Sequence, residues 1–379
     1  MKIATVVGTR PEIVKLAPVI RELGERSTLI HTGQHYDASM SGKFFDEFRI
    51  GEPDVMLSGV GGCDRTTQIA SIMKQLSELF AREKFGAVII QGDTNTVSAA
   101  AQAGNYAGIP VIHVEAGLRS YDRNMPEELN RLVAGVLADV HCAATSVNVK
   151  NLQSEGIPAD RIILTGNTIV EATTLSLAQP EPDLPVDRDV LNSAVLATIH
   201  RPENTDTAGA LKRIIDAFID IEAPVVLVAH PRTRASLIRH GLLEIAQQNL
   251  TLIDPVSHRQ LLSLMKHARL VVSDSGGLQE ECTVVKTPLI VVRRSTERPE
   301  SVTAGFSRLV TPEQGLTTAI NDALSGSREP LENLPSPYGD GTASKRIAEI
   351  AIHIADHGLP NDHARDHTVH ESTNTREKN

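Results

Sequence analysis

Short apolar runs rich in Val, Ile, Leu and Ala alternate along this chain with longer stretches whose apolar positions recur every three to four residues. The first kind fits strands buried on both faces of a parallel sheet; the second fits amphipathic helices laid over it. Strands are expected near 2–8, 28–32, 86–91, 110–114, 139–143 and 161–165, with helices near 11–24, 65–84, 95–107, 126–138 and 167–178. The polar, proline-punctuated stretch Gln179-Pro180-Glu181-Pro182-Asp183-Leu184-Pro185 then reads as a linker. A second series of strands follows near 193–199, 224–229, 250–253, 269–273, 288–292 and 308–310, and helical periodicity returns over 343–356. This alternation predicts an α/β fold of two parallel-sheet units, 1–178 and 186–335, with a cleft between them. The stretch 358–379 lacks apolar periodicity and is expected to be a disordered tail, a metal site at His363, His367 and His370 being the lesser alternative.

Polar residues interrupt the apolar runs at a consistent place. ATVVG leads into Thr9-Arg10-Pro11-Glu12, AVIIQG into Asp93, and VIHVEAG carries Glu115 with Arg119 just beyond. VLATI leads into His200-Arg201, VVLVA into His230, and LVVSDSGG carries Asp274, Ser275, Gly276 and Gly277. Open parallel sheets bind ligands past the carboxyl ends of their strands, where the connecting loops converge. Reactive side chains placed there in both halves predict an enzyme.

Composition narrows the chemistry. The 379 residues exceed what one typical core serves, which fits two domains. Hydrophobic residues make up 41%, yet aromatics only 3% and Trp is absent, so aliphatic side chains must fill the cores. A net charge of −10 speaks against nucleic acid or an anionic membrane as the main partner. Any phosphate must then be met by a few local cations and backbone amides. Cys63, Cys142 and Cys282 are scattered without a CxxC pair, which argues against a disulfide framework or zinc site and for a reducing, cytoplasmic setting. The chain opens on a strand pattern rather than a secretory leader. No stretch nears the ~18 apolar residues of a membrane span.

Four groups of residues carry candidate chemistry. In Asp274-Ser275-Gly276-Gly277-Leu278-Gln279-Glu280-Glu281 the glycines let the backbone approach a ligand and the helix start favours an anion such as a diphosphate. Glu281, a turn further on, suits ribose hydroxyls; an ordinary tight turn is the alternative. Arg10 and Lys15 flank Pro11, a good first helical residue, and both should face the mouth of the first sheet. Asp93 and Glu115 end adjacent strands, while Glu127 and Arg131, four apart at a helix start, share a face. Carboxylates converging on one cleft can act as general acid and base once their surroundings split their pKa values. The structural alternative is that Asp93 caps the next helix and Glu127 pairs with Arg131. His200 in His200-Arg201-Pro202-Glu203-Asn204 can stabilise charge growing on a leaving phosphate oxygen, whereas His113 and His230 read as structural. Gly59-Val60-Gly61-Gly62 follows no good strand, and no G-x-G-x-x-G follows the first strand, so no nicotinamide cofactor is expected. Metal-ligand spacing is also absent from the motifs.

Together these residues resemble the non-hydrolysing UDP-N-acetylglucosamine 2-epimerase family. The resemblance runs through GTRPEIVKLAP at 8–18, Gln34-His35, GDTNT at 92–96, HVEAGLRS at 113–120 and PEELNR at 126–131. It continues with HRPEN at 200–204, DSGGLQEE at 274–281, TERPE at 296–300 and PYGDG at 337–341. It implies two Rossmann-like domains of the glycosyltransferase-B type, the helix at 343–357 packing back onto the first domain, and a homodimer acting on a UDP-sugar without a cofactor. It implies Arg10, Lys15 and Arg298 as substrate contacts, Ser275, Gly276 and Gly277 as a diphosphate cradle, and Glu281 as the ribose contact. Asp93, Glu115, Glu127, Arg131 and His200 match the positions used for chemistry. The implied reaction is reversible C2 epimerisation of UDP-N-acetylglucosamine to UDP-N-acetylmannosamine by loss and re-addition of UDP through a glycal. A hydrolysing relative releasing N-acetylmannosamine, or an epimerase of a modified UDP-amino sugar, would share the motifs. Two positions depart from the family pattern. Val256 and Leu261 stand where relatives often carry Gln and Phe against uracil, and Gln34-His35-Tyr36-Asp37 stands where allosterically regulated members carry Gln-His-Arg-Glu.

Overall fold

The computed structural model describes residues 1–35, 45 and 47–359; Tyr36, Asp37 and the three histidines of the C-terminal stretch lie outside them. The first lobe is built on seven strands, β1 Lys2–Val7, β2 Ser27–His31, β3 Val55–Met56, β4 Phe85–Gln91, β5 Val111–Ala116, β6 Val140–Ala143 and β7 Ile162–Leu164, ordered β3-β2-β1-β4-β5-β6-β7. The second is built on six, β8 Val195–Thr198, β9 Val225–Val228, β10 Thr251–Ile253, β11 Leu270–Ser273, β12 Leu289–Val292 and β13 Ser307–Val310, ordered β10-β9-β8-β11-β12-β13. Every pairing is parallel. Each sheet grows outward from its first strand and then reverses, so a crevice opens at the switch points β1/β4 and β8/β11. The loops after those four strands carry Arg10, Asp93, His200 and Ser275.

Strand β4 shows why the sheets hold together. All seven residues of Phe85-Gly-Ala-Val-Ile-Ile-Gln91 are buried. Side chains alternate between faces, so Ala87 and Ile89 join the core under helix Arg10–Leu23, while Val88 and Ile90 join the opposite core under helix Arg65–Arg82. The two-residue β3 was not anticipated, because so short a strand produces no alternation. The glycine loop at 59–62 therefore does follow a strand. It packs against the end of β2, where a Cβ on Gly61 would lie 3.0 Å from the Gly33 carbonyl oxygen, and it precedes a helix capped by the Asp64 side chain.

The last helix, Ala343–His357, returns to the first lobe and buries Ile347, Ala351 and Ile354 in the same core as β1. It crosses β4 at Gly86, where an added Cβ would lie 2.5 Å from the Ala355 carbonyl oxygen. Within the described residues the chain thus passes between the lobes twice, once after helix Ile169–Leu177 and once before helix Ala343–His357. The second passage touches the start of helix Ile169–Leu177, with the Asn167 amide donating to the Tyr338 carbonyl at 2.7 Å. Among the described residues no helix is long and apolar enough to cross a membrane.

Candidate active site

Buried Glu12 ties two of the converging loops together. Its Oε2 accepts the amides of Gly8 and Thr9 at 2.9 and 2.7 Å, and its Oε1 accepts the Thr94 hydroxyl at 2.7 Å. The loop bearing Arg10 is thereby fixed against the loop bearing Asp93. Burial pushes the Glu12 carboxyl up to about 7 despite these bonds.

Between the lobes lies a cavity of about 760 Å³, within the range of small-ligand sites. Arg10, Lys15, Asp93, Glu127, Arg131, His200, Ser275, Gly276, Gly277, Glu281 and Arg298 all line it, as do Val256 and Leu261. Glu115 does not: it stands behind Lys15. Its backbone takes a φ of 62°, and the β5–β6 register slips between Val114 and Ala116. A left-handed non-glycine residue costs on the order of 1–3 kcal/mol and persists only where its surroundings over-determine it. Here the bulge re-aims the side chain, and Glu115 meets Lys15 Nζ at 2.5 Å, Gln91 Nε2 at 2.7 Å and Arg298 Nη2 at 3.3 Å. Lys15, expected at the mouth of the sheet as a phosphate cation, is only 6% exposed and is engaged by Glu115 and Glu280. Burial alone would lower its pKa, but those two carboxylates raise it.

The structural alternative for the other acids does not hold. Thr94, not Asp93, caps the following helix. Asp93 pairs with Arg131, which also meets Glu128 at 2.9 Å, so Glu127 is exposed toward the cleft and does not pair with Arg131. Glu128 is held in turn by the amides of Ser120 and Tyr121.

In the second lobe, Asp274 is a floor rather than a ligand contact. Fully buried, it accepts the amides of His200 and Arg201 and the Asn204 side chain, and lies 3.2 Å from His200 Nδ1. A carboxylate there favours a proton on Nδ1 and leaves Nε2 for the cleft. Helix Gly276–Val285 opens onto the cavity with its first amides, which have no partner within the helix. A Cβ on Gly276 would meet Arg298 Nη1 at 2.7 Å, so the glycine is needed for that guanidinium to pack behind the helix start. Arg298 contacts Glu280 at 2.7 Å and Glu297 at 2.6 Å. Burial alone would raise the Glu297 carboxyl, but Arg298 and Arg293 hold it down to about 2.

Sequence reasoning missed Glu280, Glu297 and His258. His258 bonds Glu281 at 2.9 Å and lies 3.8 Å from Glu47 of the first lobe, and these partners outweigh burial to push it up to about 9. The sites of Val256 and Leu261 on either side were the available signal. His230 caps its helix and His113 Nε2 donates to the Gly92 carbonyl, as structural residues do.

His141 in β6 is fully buried, and burial pushes it down to about 3. It is neutral in the fold but takes up a proton in the unfolded chain below pH 6.5, so its contribution is complete above that pH and is lost as pH falls. Glu12 and His258 work in the opposite sense, gaining protons in the fold. Replacing His141 by Leu isolates the one group. Between pH 7 and pH 5 the variant is expected to lose about 2 kcal/mol less stability than the parent in urea unfolding.

Two parallel-sheet lobes, with a helix start in one facing carboxylates and guanidinium groups of the other, define a glycosyltransferase-B-like protein with an interlobe site. A family model described as UDP-N-acetylglucosamine 2-epimerase matches residues 21–352. The chain belongs to that family, whose members are isomerases. A UDP-N-acetylglucosamine 2-epimerase of Methanocaldococcus jannaschii is 38% identical over 366 residues, covering 92% of this chain and 98% of the relative. A UDP-2,3-diacetamido-2,3-dideoxy-D-glucuronate 2-epimerase of Pseudomonas aeruginosa is 35% identical over 358 residues, covering 92% and 99%. The crystal structure of the M. jannaschii enzyme with UDP-GlcNAc and UDP superposes with a TM-score of 0.82 at 36% identity, covering 93% of this chain and 100% of that one. The Neisseria meningitidis enzyme bound to UDP-GlcNAc gives 0.83 at 34%, with the same coverage.

Proposed function

We propose that this protein inverts C2 of UDP-N-acetylglucosamine reversibly, without net hydrolysis, by expelling UDP and adding it back. The observation that carries this reading is that Arg10, Gly276, Gly277 and Arg298 share one cavity with Asp93, Glu127 and Arg131. Leaving-group capture and proton transfer can therefore act on a single sugar. The C2 proton of an N-acetylhexosamine lies beside no carbonyl able to delocalise a carbanion. The C1–O bond must break first, giving oxocarbenium character at C1 that acidifies that proton. A carboxylate then removes it, leaving a glycal and UDP. UDP re-adds to C1 while a second acid returns a proton to the other face of C2. The helix amides, Arg10 and His200 Nε2 stabilise the diphosphate as it departs, the kind of preorganised stabilisation that often dominates catalysis. Asp93, clamped by Arg131, and Glu127, open to the cleft, are the acids placed to face the ring; Glu115 holds Lys15 and Arg298 behind them.

Incubation with UDP-N-acetylglucosamine in deuterated water tests this. Deuterium at C2 of recovered UDP-sugar, in both epimers, is the expected result; free N-acetylmannosamine accumulating with UDP would instead establish the hydrolysing reaction. The near-equal identity to the diacetamido-glucuronate enzyme supports a second reading, a modified UDP-amino sugar. Deuterium uptake by the uronate alone would select it. A homodimer belongs to the same proposal: Leu129 and Val136, 40% and 77% exposed, offer an apolar stripe on helix Pro126–Leu137 that a second copy could cover, and the mass in solution decides.

A further inference from the structure

We infer that Glu280 is the positioning residue that sets the two lobes in register, through a ring of four alternating charges to which each lobe gives one cation and one carboxylate. The catalytic arm of this inference rests on the epimerase reading; the conformational arm does not. Lys15 and Glu115 belong to the first lobe, Arg298 and Glu280 to the second. Within the lobes, Lys15 Nζ lies 2.5 Å from Glu115 Oε2, and Arg298 Nε lies 2.7 Å from Glu280 Oε1. Across the lobes, Lys15 Nζ lies 2.8 Å from Glu280 Oε2, and Arg298 Nη2 lies 3.3 Å from Glu115 Oε1. None of the four is more than 7% exposed, and Glu280 is the most buried at 1%. Asn167 of the first lobe adds a bond to Glu280 Oε1 at 3.2 Å.

The arrangement has a property a simple pair lacks. A buried ion pair that loses one partner leaves an uncompensated charge, which is strongly destabilising. When these lobes part, Lys15 keeps Glu115 and Arg298 keeps Glu280, so no charge is stranded. Closure makes two further contacts and opening gives them up, which lets the cleft cycle without a prohibitive electrostatic penalty. The four points also fix where the lobes stop, since a small shift misaligns both cross-lobe contacts together.

Glu280 touches both cations of the ring, and both cations line the cavity. Its charge keeps Lys15 and Arg298 side by side beside the diphosphate cradle. Neutralising it leaves the ring with one excess positive charge. The cations then repel across the lobe boundary and closure loses its stop. An incoming diphosphate, however, meets a more positive seat. Turnover should therefore suffer while UDP binding does not, a division that general damage to the site would not produce.

The experiment compares the full chain with Glu280→Gln and Glu280→Asp. For Glu280→Gln, C2 deuterium exchange is expected to fall at least ~10-fold, as sub-ångström misplacement of reacting groups commonly causes. The UDP dissociation constant, measured by calorimetry, should stay within about threefold of the parent or tighten. Small-angle scattering of the ligand-free variant should give a larger radius of gyration, which UDP reduces. Glu280→Asp keeps the charge but falls one methylene short of spanning both cations, so its turnover should lie between the other two. Parent-like turnover and radius in Glu280→Gln overturn the inference, as does a UDP affinity that falls in step with turnover. If circular dichroism shows Glu280→Gln unfolded, Glu280→Asp decides: turnover equal to the parent's would refute the role. Should the parent itself exchange no C2 hydrogen, the epimerase reading fails, and the scattering comparison judges the ring alone.

Discussion

Asp93→Asn is expected to cut turnover by at least ~10²-fold, the lower range for loss of a general acid or base. UDP binding should remain within about threefold of the parent, because on the proposed reading Asp93 acts on the sugar and not on the diphosphate. The substitution keeps the size of the side chain and one oxygen for Arg131, so the helix bearing Arg131 and Glu128 stays in place. What it removes is the group able to gain and lose a proton. Steady-state rates with UDP-N-acetylglucosamine, paired with calorimetric titration of UDP, separate the two effects. Turnover within tenfold of the parent would remove Asp93 from the proton-transfer step.

Gly276→Ala should do the reverse, weakening UDP binding by at least ~5-fold. The added methyl would stand 2.7 Å from Arg298 Nη1 and 3.2 Å from Glu297 Oε1. A flexible side-chain end could ordinarily swing away, but Arg298 is held by Glu280, Glu297 and Glu115. The helix start must shift instead. Overpacking of this kind costs about 1–3 kcal/mol, which corresponds to roughly 5- to 150-fold if it falls on the bound state. Gly277→Ala is the control. Nothing lies within 4 Å of its Cβ position, so its thermal stability should match the parent and any affinity change would report direct contact with the ligand. Unchanged UDP affinity in Gly276→Ala would show that Arg298 yields more easily than its three partners suggest.

The sheets were legible because buried parallel strands write themselves as unbroken apolar runs, as Phe85–Gln91 does. The site was legible at its loops for a related reason: polar residues at strand ends stand out against such runs. What the sequence hid is pairing. Lys15 at the mouth of a sheet looks like a phosphate cation, and nothing near it in the chain announces Glu280, 265 residues away, which engages it. The four-residue spacing of Glu127 and Arg131 suggested a helix-surface pair, yet Arg131 turns to Asp93, because a buried guanidinium follows the carboxylates that desolvate with it. Glu115 was placed at the right strand end, but its left-handed backbone and retreat behind Lys15 depend on a bulge that apolar alternation cannot register.

The double passage of the chain between the lobes limits how they can move. One passage leaves helix Ile169–Leu177 at its end, and the other lies against its beginning through Asn167 and Tyr338. Two tethers set at opposite ends of a nine-residue helix are roughly 13 Å apart at 1.5 Å per residue. Two fixed points allow swinging about the line that joins them and resist swivelling about any other. The helix is therefore placed as a door pin would be, and opening of the cleft should run like a door on its frame rather than wobble on a ball joint.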